Sequence, residues 1–384
     1  MKETSFPHSQ YYPQLDALRG IAALMVVINH FVLLGPLAWV PKTPLRIVAL
    51  GHEAVMLFFT LSGFVLTLQL RSRRGRRGTI YRDYLIKRIC RIYLPYLAVL
   101  IITFSIVNAL TIHPVNWAGG WFNAVWSGPF TGTEITDHLL FIGRYKAGQF
   151  IPVIWSLIYE MRISLLMPLV VFCLARSPAS ACIVAALAVS TLSFALVPDA
   201  DASSANFDGD WAMTLHYLGI FIVGATLALH QAAWRQWLAR GRRTWVVLAG
   251  SMALYFVSRS TMSVTSGAIG QFIFDWCVAA GAAGIICTAI VSSRFAALLT
   301  MRPIAFLGTI SYSLYLTHTV VLVTVIHLMP SPDSMWRAIA IAAALVIPVA
   351  TIVHLVVERQ TIMLGQFLTG RTNTASARAR QQTF

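Results

Sequence analysis

The sequence predicts an all-α, polytopic integral membrane protein of about ten transmembrane helices, with its N- and C-termini in the cytoplasm. Of the 384 residues, 57% are hydrophobic and only 11% are charged, whereas an average soluble domain carries about 25% charged residues. Long apolar segments recur along the chain, and most cations fall on one side of the topology they define. These observations exclude an ordinary soluble enzyme. The cation excess follows membrane topology and indicates no nucleic-acid partner.

A helix needs about 20 apolar residues to cross the hydrocarbon core of a bilayer. The second segment is unusual because it includes His52 and Glu53, and the seventh is short. The ten predicted spans are 16–38, 46–69, 92–112, 151–173, 179–198, 211–230, 244–258, 271–291, 303–328 and 336–357.

We expect one transmembrane domain over residues 1–370, followed by a basic cytoplasmic tail over 371–384 that is disordered. The first apolar run contains Asp16 and Arg19 and lacks the short core and cleavage site of a signal peptide. We therefore interpret it as the first span. The five cysteines form no CxxC pair, so neither a disulfide framework nor a metal site is expected.

The distribution of cations predicts the orientation. With the N-terminus inside, 22 of the 29 Lys and Arg residues lie in cytoplasmic segments and 6 lie outside. Cytoplasmic loops carry the excess of Lys and Arg in membrane proteins. The loop 198–210, which is acidic and has no cation, falls outside on this assignment.

The first span carries Arg19 and His30, eleven residues apart. Eleven steps of about 100° put both side chains on one helix face, separated by roughly 16 Å along the axis. Ionisable groups within a span face the bundle interior or a wet cavity and are candidates for function. The pair suits an anionic ligand that enters from the cytoplasm and presents its reactive end to the histidine. Alternatively, Arg19 reaches the headgroups and His30 forms a hydrogen bond between helices.

The second span carries His52, Glu53 and Ser62. His52 and Glu53 form either an acid–base pair or an electrostatic pair at the outer end of the helix. Ser62 with Gly63 favours close helix packing. The surrounding "TLSGF" is not the GxSxG elbow of a serine nucleophile.

The stretch "YRDYLIKRICRIYLPY" leads into the third span with Lys87, Arg88 and Arg91. Lys87 and Arg91 are four residues apart and share one helix face. This cationic entry suits phosphates, for example those of coenzyme A. The alternative is a purely topogenic charge cluster, which is the interpretation we favour for residues 71–77.

The fourth span carries Glu160 and Arg162 well inside its apolar run. An uncompensated charge there costs at least about 2.5 kcal/mol, so both need partners. Glu160 either orients a histidine, as a carboxylate fixes an imidazole tautomer, or pairs with a buried arginine.

Two aromatic stretches complete the set of candidates. In "GTISYSLYLTHTVV", residues Tyr312, Tyr315 and His318 recur every three positions and form either a polar cavity wall or a packed hydrogen-bonding face. In the segment 113–150, tryptophans and a phenylalanine suit sugar stacking or, as we favour, an interfacial belt; they are Trp117, Trp121, Phe122 and Trp126.

Taken together, these motifs resemble those of the membrane acyltransferases of family three, bacterial enzymes that place O-acyl groups on extracytoplasmic sugars. The resemblance covers about residues 10–365 and includes, in order, "LDALRGIAALMVVINH", "LFFTLSGF", "KRICRIYLPY", "WSLIYE" and "SYSLYLTH". The chain departs from the family where Thr317 precedes His318 in place of a tryptophan, and where Gln360 replaces a common proline. The departures concern the shape near the last two helices.

The resemblance implies roles for particular residues. It makes Arg19 and His30 the essential pair, with His30 as the general base on the acceptor hydroxyl or as the carrier of the acyl group. It places Arg88 and Arg91 with Arg19 on the nucleotide end of the donor, and it makes Glu160 the residue that orients His30. The expected cavity-lining residues are Ser62, His52, Glu53, Tyr312 and His318.

The implied reaction is O-acylation from cytoplasmic acyl-CoA, which we expect to be acetyl-CoA, as a co-substrate without a bound cofactor. The implied acceptor is a glycan or lipid-linked saccharide outside the bacterial cytoplasmic membrane. No SGNH-type hydrolase domain follows the spans, so this protein completes the transfer or passes the group to a separate periplasmic partner. Acceptor identity, acyl length and oligomeric state stay open. Alternatives are a transporter with an intramembrane His/Glu/Arg relay and a non-enzymatic receptor or assembly factor.

Overall fold

The computed structural model describes most of the chain. The described residues are 11–72, 77–128, 132–140, 150–196, 210–239, 241–258 and 267–370. Nearly all of the predicted acidic loop, four residues of the basic run after the second span and the predicted tail lie outside these ranges.

The described residues form helices joined by short turns, with no strand among them. The α-helices are α1 (Pro13–Val32), α2 (Gly51–Arg71), α3 (Arg77–Arg88), α4 (Leu94–Ala109), α5 (Gly120–Ala124), α6 (Gly132–Leu140), α7 (Ile154–Leu174), α8 (Ala179–Leu196), α9 (Trp211–Leu229), α10 (Gln231–Leu238), α11 (Arg242–Val257), α12 (Gly267–Val291), α13 (Ser293–Leu299), α14 (Arg302–Leu328), α15 (Met335–Val353) and α16 (Arg359–Leu368). Two π-helical turns, Ile89–Tyr93 and His354–Glu358, make α3–α4 and α15–α16 continuous.

The described part of the chain contains nine helical segments that are long and apolar enough to cross a membrane. The seventh predicted span corresponds to the 16-residue α11, which is shorter than these nine. The predicted fold class, an all-α polytopic membrane protein, is therefore confirmed. The orientation of the termini stays a prediction from the cation count.

Several helix boundaries differ from the predicted ones. The first helix ends at Val32 instead of residue 38, because Gly35 and Pro36 begin a run of short 3-10 turns. The predicted third span is the second half of a longer helix that starts near Arg77, so the cationic entry belongs to the span itself. The last helix continues to Leu368, past the predicted end at 357.

Helices α1 and α14 run parallel in close contact. A side chain on Gly20 would collide with the backbone of Gly308, and ten residues further along each helix His30 contacts His318. Small residues at such crossings let helix backbones approach closely in a membrane. This contact fixes the register between the two helices that carry the histidines.

The helix bundle has two ends, which are named here by the course of α1. The near face is the end at which α1 begins, and the far face is the end at which α1 finishes and α2 starts, where Gly51 lies against Asn29. The cation count predicts that the near face is cytoplasmic.

The glycine crossing gives a first testable prediction. In Gly308→Ala, the new Cβ would lie 2.6 Å from the backbone oxygen of Asp16, so α1 and α14 must separate. Overpacking of this kind lowers the unfolding free energy by about 1–3 kcal/mol, measurable as a lower thermal midpoint in detergent. The matched control is Gly250→Ala, because a Cβ there meets open space. Equal midpoints for the two variants would contradict the crossing.

Candidate functional site

Glu160 of the fourth span, which the family resemblance singles out, forms an ion pair with Arg88. Arg88 Nη2 donates to Glu160 Oε1 at 2.7 Å and also to Ser164 Oγ at 2.8 Å. Ser62 Oγ donates to the same Glu160 oxygen at 3.3 Å. The side chains of Arg88 and Glu160 are 10% and 20% exposed, so the pair lies at the edge of the protein interior. One of the two predicted interpretations of Glu160, pairing with a buried arginine, describes this geometry.

Two more guanidinium groups lie within electrostatic reach of this pair. Arg19 interacts with Arg91, Glu160 and Arg88, and its Nη1 lies 3.8 Å from Asp16 Oδ1. The Asp16 side chain is 37% exposed, so its pairing with Arg19 is weak. With three arginines around one buried carboxylate, the cluster carries a net positive charge suited to an anionic ligand.

The local backbone explains how Arg88 and Arg91 reach this cluster together. The π-helical turn Ile89–Tyr93 begins directly after Arg88 and contains Arg91. Such turns shift the side-chain positions that follow them and are frequent at functional sites. Tyr312 of α14 donates its hydroxyl to the Ile92 carbonyl inside this turn at 2.6 Å. The first tyrosine of the late motif thereby fixes the turn that presents the arginines.

The second group of site residues is a pair of histidines. His318 Nδ1 lies 3.0 Å from the Leu314 carbonyl, and its Nε2 lies 3.1 Å from His30 Nδ1. His30 Nδ1 also lies 2.9 Å from the Val26 carbonyl. Because a carbonyl accepts only, each Nδ1 carries the proton, and His318 Nε2 accepts from His30. In neutral His30 the basic nitrogen is therefore Nε2.

Aromatic and hydroxyl groups surround the histidine pair. The Trp121 ring lies 5.0 Å from the His30 ring, measured between centroids. Tyr315 lies 6.1 Å from the His318 ring and shares a 2.6 Å hydrogen bond with Ser156. Ser156 and Glu160 are one turn apart on α7, so this helix connects the histidine pair to the arginine cluster.

The far-face aromatic segment packs inward, contrary to the favoured prediction of an interfacial belt. Trp121 contacts His30, and Phe122 and Trp126 are almost completely buried. The indole nitrogens of Trp117 and Trp126 donate to the carbonyls of Pro330 and Phe150. The segment around α5 thus covers the histidine pair from the far face.

Of the two interpretations of Glu160, direct orientation of His30 has no described contact behind it. That role required a contact with His30, but the hydrogen bonds of His30 go to Val26 and His318, and Glu160 bonds to Arg88 and Ser62. The Val26 carbonyl and His318 together hold the proton of His30 on Nδ1. The sequence carried the signal for His318 but did not indicate which group it faces.

The structure gives His52 a partner on another helix that the sequence did not indicate. His52 Nε2 donates to Asp275 Oδ1 at 2.6 Å. Glu53, the next residue of the helix, is completely buried on another side of α2. Adjacent helical residues do not face each other. The predicted cavity-lining set therefore divides: Ser62 and Tyr312 contact the arginine cluster, His318 contacts His30, and His52 belongs to a separate network.

The sequence analysis did not identify three other members of that network, which are Asp275, His216 and Gln271. Asp275 is fully buried in α12 and accepts from His52, from His216 Nε2 at 3.0 Å and from Gln271 at 2.9 Å. The signal was present, because "QFIFDWCVAA" places a carboxylate in an apolar run and such residues are functional candidates. Arg162, singled out by the same rule, stacks on Trp211 at 3.9 Å and donates to Thr214.

Comparison with known proteins adds one finding. A family model described as an acyltransferase domain, that of acyltransferase family three, matches residues 12–355. Among the curated proteins and the solved structures, none matches the chain. The matched range includes every residue of the arginine cluster and of the histidine pair.

Proposed function

The chain belongs to acyltransferase family three, and from this premise we propose that it transfers an acyl group from acyl-CoA to a hydroxyl of a glycan or lipid-linked saccharide. It is a multi-pass membrane acyltransferase. We place it in the bacterial cytoplasmic membrane, with the donor entering from the near face and the acceptor from the far face. Acetyl-CoA is the donor we expect.

The observation that carries this proposal is the geometry of His30. Its Nδ1 proton is held by the Val26 carbonyl and by His318, which leaves Nε2 as the basic atom. A histidine held in one tautomer by its second nitrogen is suited to general-base or nucleophilic catalysis. The His30 side chain is partly exposed, as a reacting base needs to be.

The arginine cluster supports the choice of an anionic donor. The phosphates of coenzyme A are anionic, and guanidinium groups bind phosphate oxygens in bidentate fashion. Arg91 is exposed and Arg19 is partly exposed, so both are available to a ligand in addition to the paired Arg88. The roughly 16 Å between Arg19 and His30 along α1 leaves room for a pantetheine arm between phosphate and thioester.

Two routes fit the same residues. In direct transfer, His30 Nε2 takes the proton of the acceptor hydroxyl. The hydroxyl oxygen attacks the thioester carbon, the C–S bond breaks, and the coenzyme A thiolate leaves. In a relay, His30 Nε2 attacks the thioester, the coenzyme A thiolate leaves, and the acceptor hydroxyl then attacks the acyl-histidine. In both routes His318 acts as a positioning residue, because it holds the His30 proton on Nδ1.

Donor binding gives the test of this proposal. We expect purified protein in nanodiscs to bind acetyl-CoA saturably, and Arg19→Ala to bind it about 10- to 100-fold more weakly, since a charge-assisted hydrogen bond contributes about 1.5–3 kcal/mol. Isothermal titration calorimetry measures both. The matched control is Arg176→Ala, which removes an exposed cation after α7, outside the cluster. Equal loss in both variants, or no binding of acetyl-CoA or longer acyl-CoA, would refute the assigned donor.

A further inference from the structure

A buried imidazole–carboxylate network lies in the far-face half of the bundle and has no part in either route above. Asp275 is at its centre and receives N–H groups from His52, His216 and Gln271 at 2.6–3.0 Å. Ser190 Oγ lies 2.8 Å from His216 Nδ1 and accepts from the Trp276 indole at 3.0 Å. With the Ser190 hydroxyl donating to Nδ1, His216 donates from Nε2 to the carboxylate.

His52 differs from the other members of the network in its accessibility. The side chains of Asp275 and His216 have no exposed surface, whereas the His52 side chain is 18% exposed. Its ring is stacked nearly parallel to Trp155, with centroids 6.2 Å apart and an interplanar angle of 8°. Phe274 stacks on it as well, at 5.6 Å. The ring is therefore held in one orientation, with Nε2 on the buried carboxylate.

The hydrogen bond between His52 and Asp275 has the arrangement of a catalytic His–Asp pair. A buried carboxylate that accepts from one imidazole nitrogen fixes the tautomer and stabilises the imidazolium formed when the other nitrogen takes a proton. In His52 the nitrogen bonded to Asp275 is Nε2. The nitrogen that would accept a proton is therefore Nδ1.

The network adjoins the His30 site at two points. His52 follows Gly51, which lies against the Asn29 side chain, and Asn29 precedes His30. Trp155, which stacks on His52, precedes Ser156, whose hydroxyl bonds to Tyr315 beside His318. The residues that carry the two histidines thus lie at the same end of the bundle, where α1 ends and α2 and α7 begin. This region lies toward the far face, from which the acceptor enters in the function proposed above.

The relay route has a chemical requirement that His30 alone does not meet. Once Nε2 carries the acyl group and Nδ1 holds a proton, the ring has no basic nitrogen for the acceptor hydroxyl. His318 accepts from Nδ1, on the opposite edge of that ring. A second base is needed to take the hydroxyl proton.

We propose that His52, oriented by Asp275, is this second base and deprotonates the acceptor hydroxyl in the second half of an acyl-histidine relay. The acceptor oxygen bonds to the acyl carbon, the bond from that carbon to His30 Nε2 breaks, and its electron pair returns to the imidazole. The hydroxyl proton passes to His52 and then to solvent at the far face. This inference rests on the proposed acyl-CoA function and names the base that its second step uses.

The two half-reactions can be tested separately. Radiolabelled acetyl-CoA without an acceptor loads the protein, and envelope glycan of the source cell, stripped of its esters by alkali, then discharges the label. We expect His52→Ala to acquire label as the wild type does but to transfer it about 10²- to 10⁴-fold more slowly, the range of general-base catalysis. Asp275→Asn should show the same separation, and added imidazole should partly restore transfer in His52→Ala.

The control is a histidine variant outside the network. His113→Ala, which removes an exposed histidine of the far face outside the network, should leave both steps unchanged. If the network is purely structural, His52→Ala and Asp275→Asn would lower labelling and transfer together, and imidazole would restore neither. That result overturns the inference, as does a wild type that acquires no label or whose label the glycan does not discharge. Acetyl-CoA binding distinguishes these failures from failure of the donor assignment itself.

Discussion

Replacing His30 with alanine is expected to abolish acyl transfer while the protein still inserts and folds in the membrane. The variant removes the imidazole whose basic Nε2 is left for the reaction, because Nδ1 is already bonded to Val26 and His318. A general base contributes about 10²- to 10⁴-fold to rate, and loss of a nucleophile stops a relay altogether. The measurement is acyl-CoA-dependent ester formation on de-esterified envelope glycan by the purified protein.

Two further variants separate chemistry from packing in this experiment. His30→Gln keeps a polar side chain that can still donate to Val26 but offers no base, so it should be as inactive as His30→Ala. His318→Ala leaves His30 in place without its second partner and should lose only part of the rate. Transfer by His30→Ala at a rate within about 10-fold of the wild type would refute the assignment of His30 as base or acyl carrier.

The second large effect concerns the ion pair between Arg88 and Glu160. In Arg88→Ala the carboxylate of Glu160 loses a 2.7 Å charge-assisted bond and keeps only the longer bond from Ser62. Breaking a buried pair from one side costs about 3–5 kcal/mol. Because the Glu160 side chain retains 20% exposure, we expect the lower end of this range, about 3 kcal/mol. Thermal unfolding in detergent measures the loss.

The double variant Arg88→Ala with Glu160→Ala is the appropriate comparison, because it leaves no charge without its partner. We expect it to be more stable than Arg88→Ala alone, as replacing both members of a buried pair is less costly than removing one. It should nevertheless bind acetyl-CoA weakly, since one of the three arginines is gone. If the single and double variants unfold at the same temperature, Glu160 does not depend on Arg88 for its charge compensation.

Most of the architecture follows from hydrophobicity and charge placement. Nine of the ten predicted spans match long apolar helices of the described residues, and the family assignment follows from the sequence motifs. The helix ends depend on features that hydropathy does not register. Pro36 and Gly35 stop α1 early, and the π-helical turn at Ile89–Tyr93 joins the cationic entry to the third span.

Side-chain pairing was predictable only where a charge inside a span required a partner of opposite charge. A buried Glu160 needs a cation, and the sequence named the alternative that the structure contains. His52 illustrates the limit, because its partner Asp275 is 223 residues away on another helix. Helical periodicity shows which residues share a face of one helix, but it does not show which faces meet. For the same reason the sequence left open whether Glu160 acts on His30 or pairs with an arginine, and the structure gives it Arg88 as a partner.

The parallel contact between α1 and α14 bears on how the protein becomes active during synthesis. His30 and His318 are separated by 288 positions, and the Gly20–Gly308 crossing that sets their register has the same separation. Helix α1 is therefore synthesised long before α14, and the intervening helices are inserted before its partner exists. A nascent chain that ends before α14 lacks the contact between His30 and His318, so the histidine pair cannot form until α14 has been synthesised.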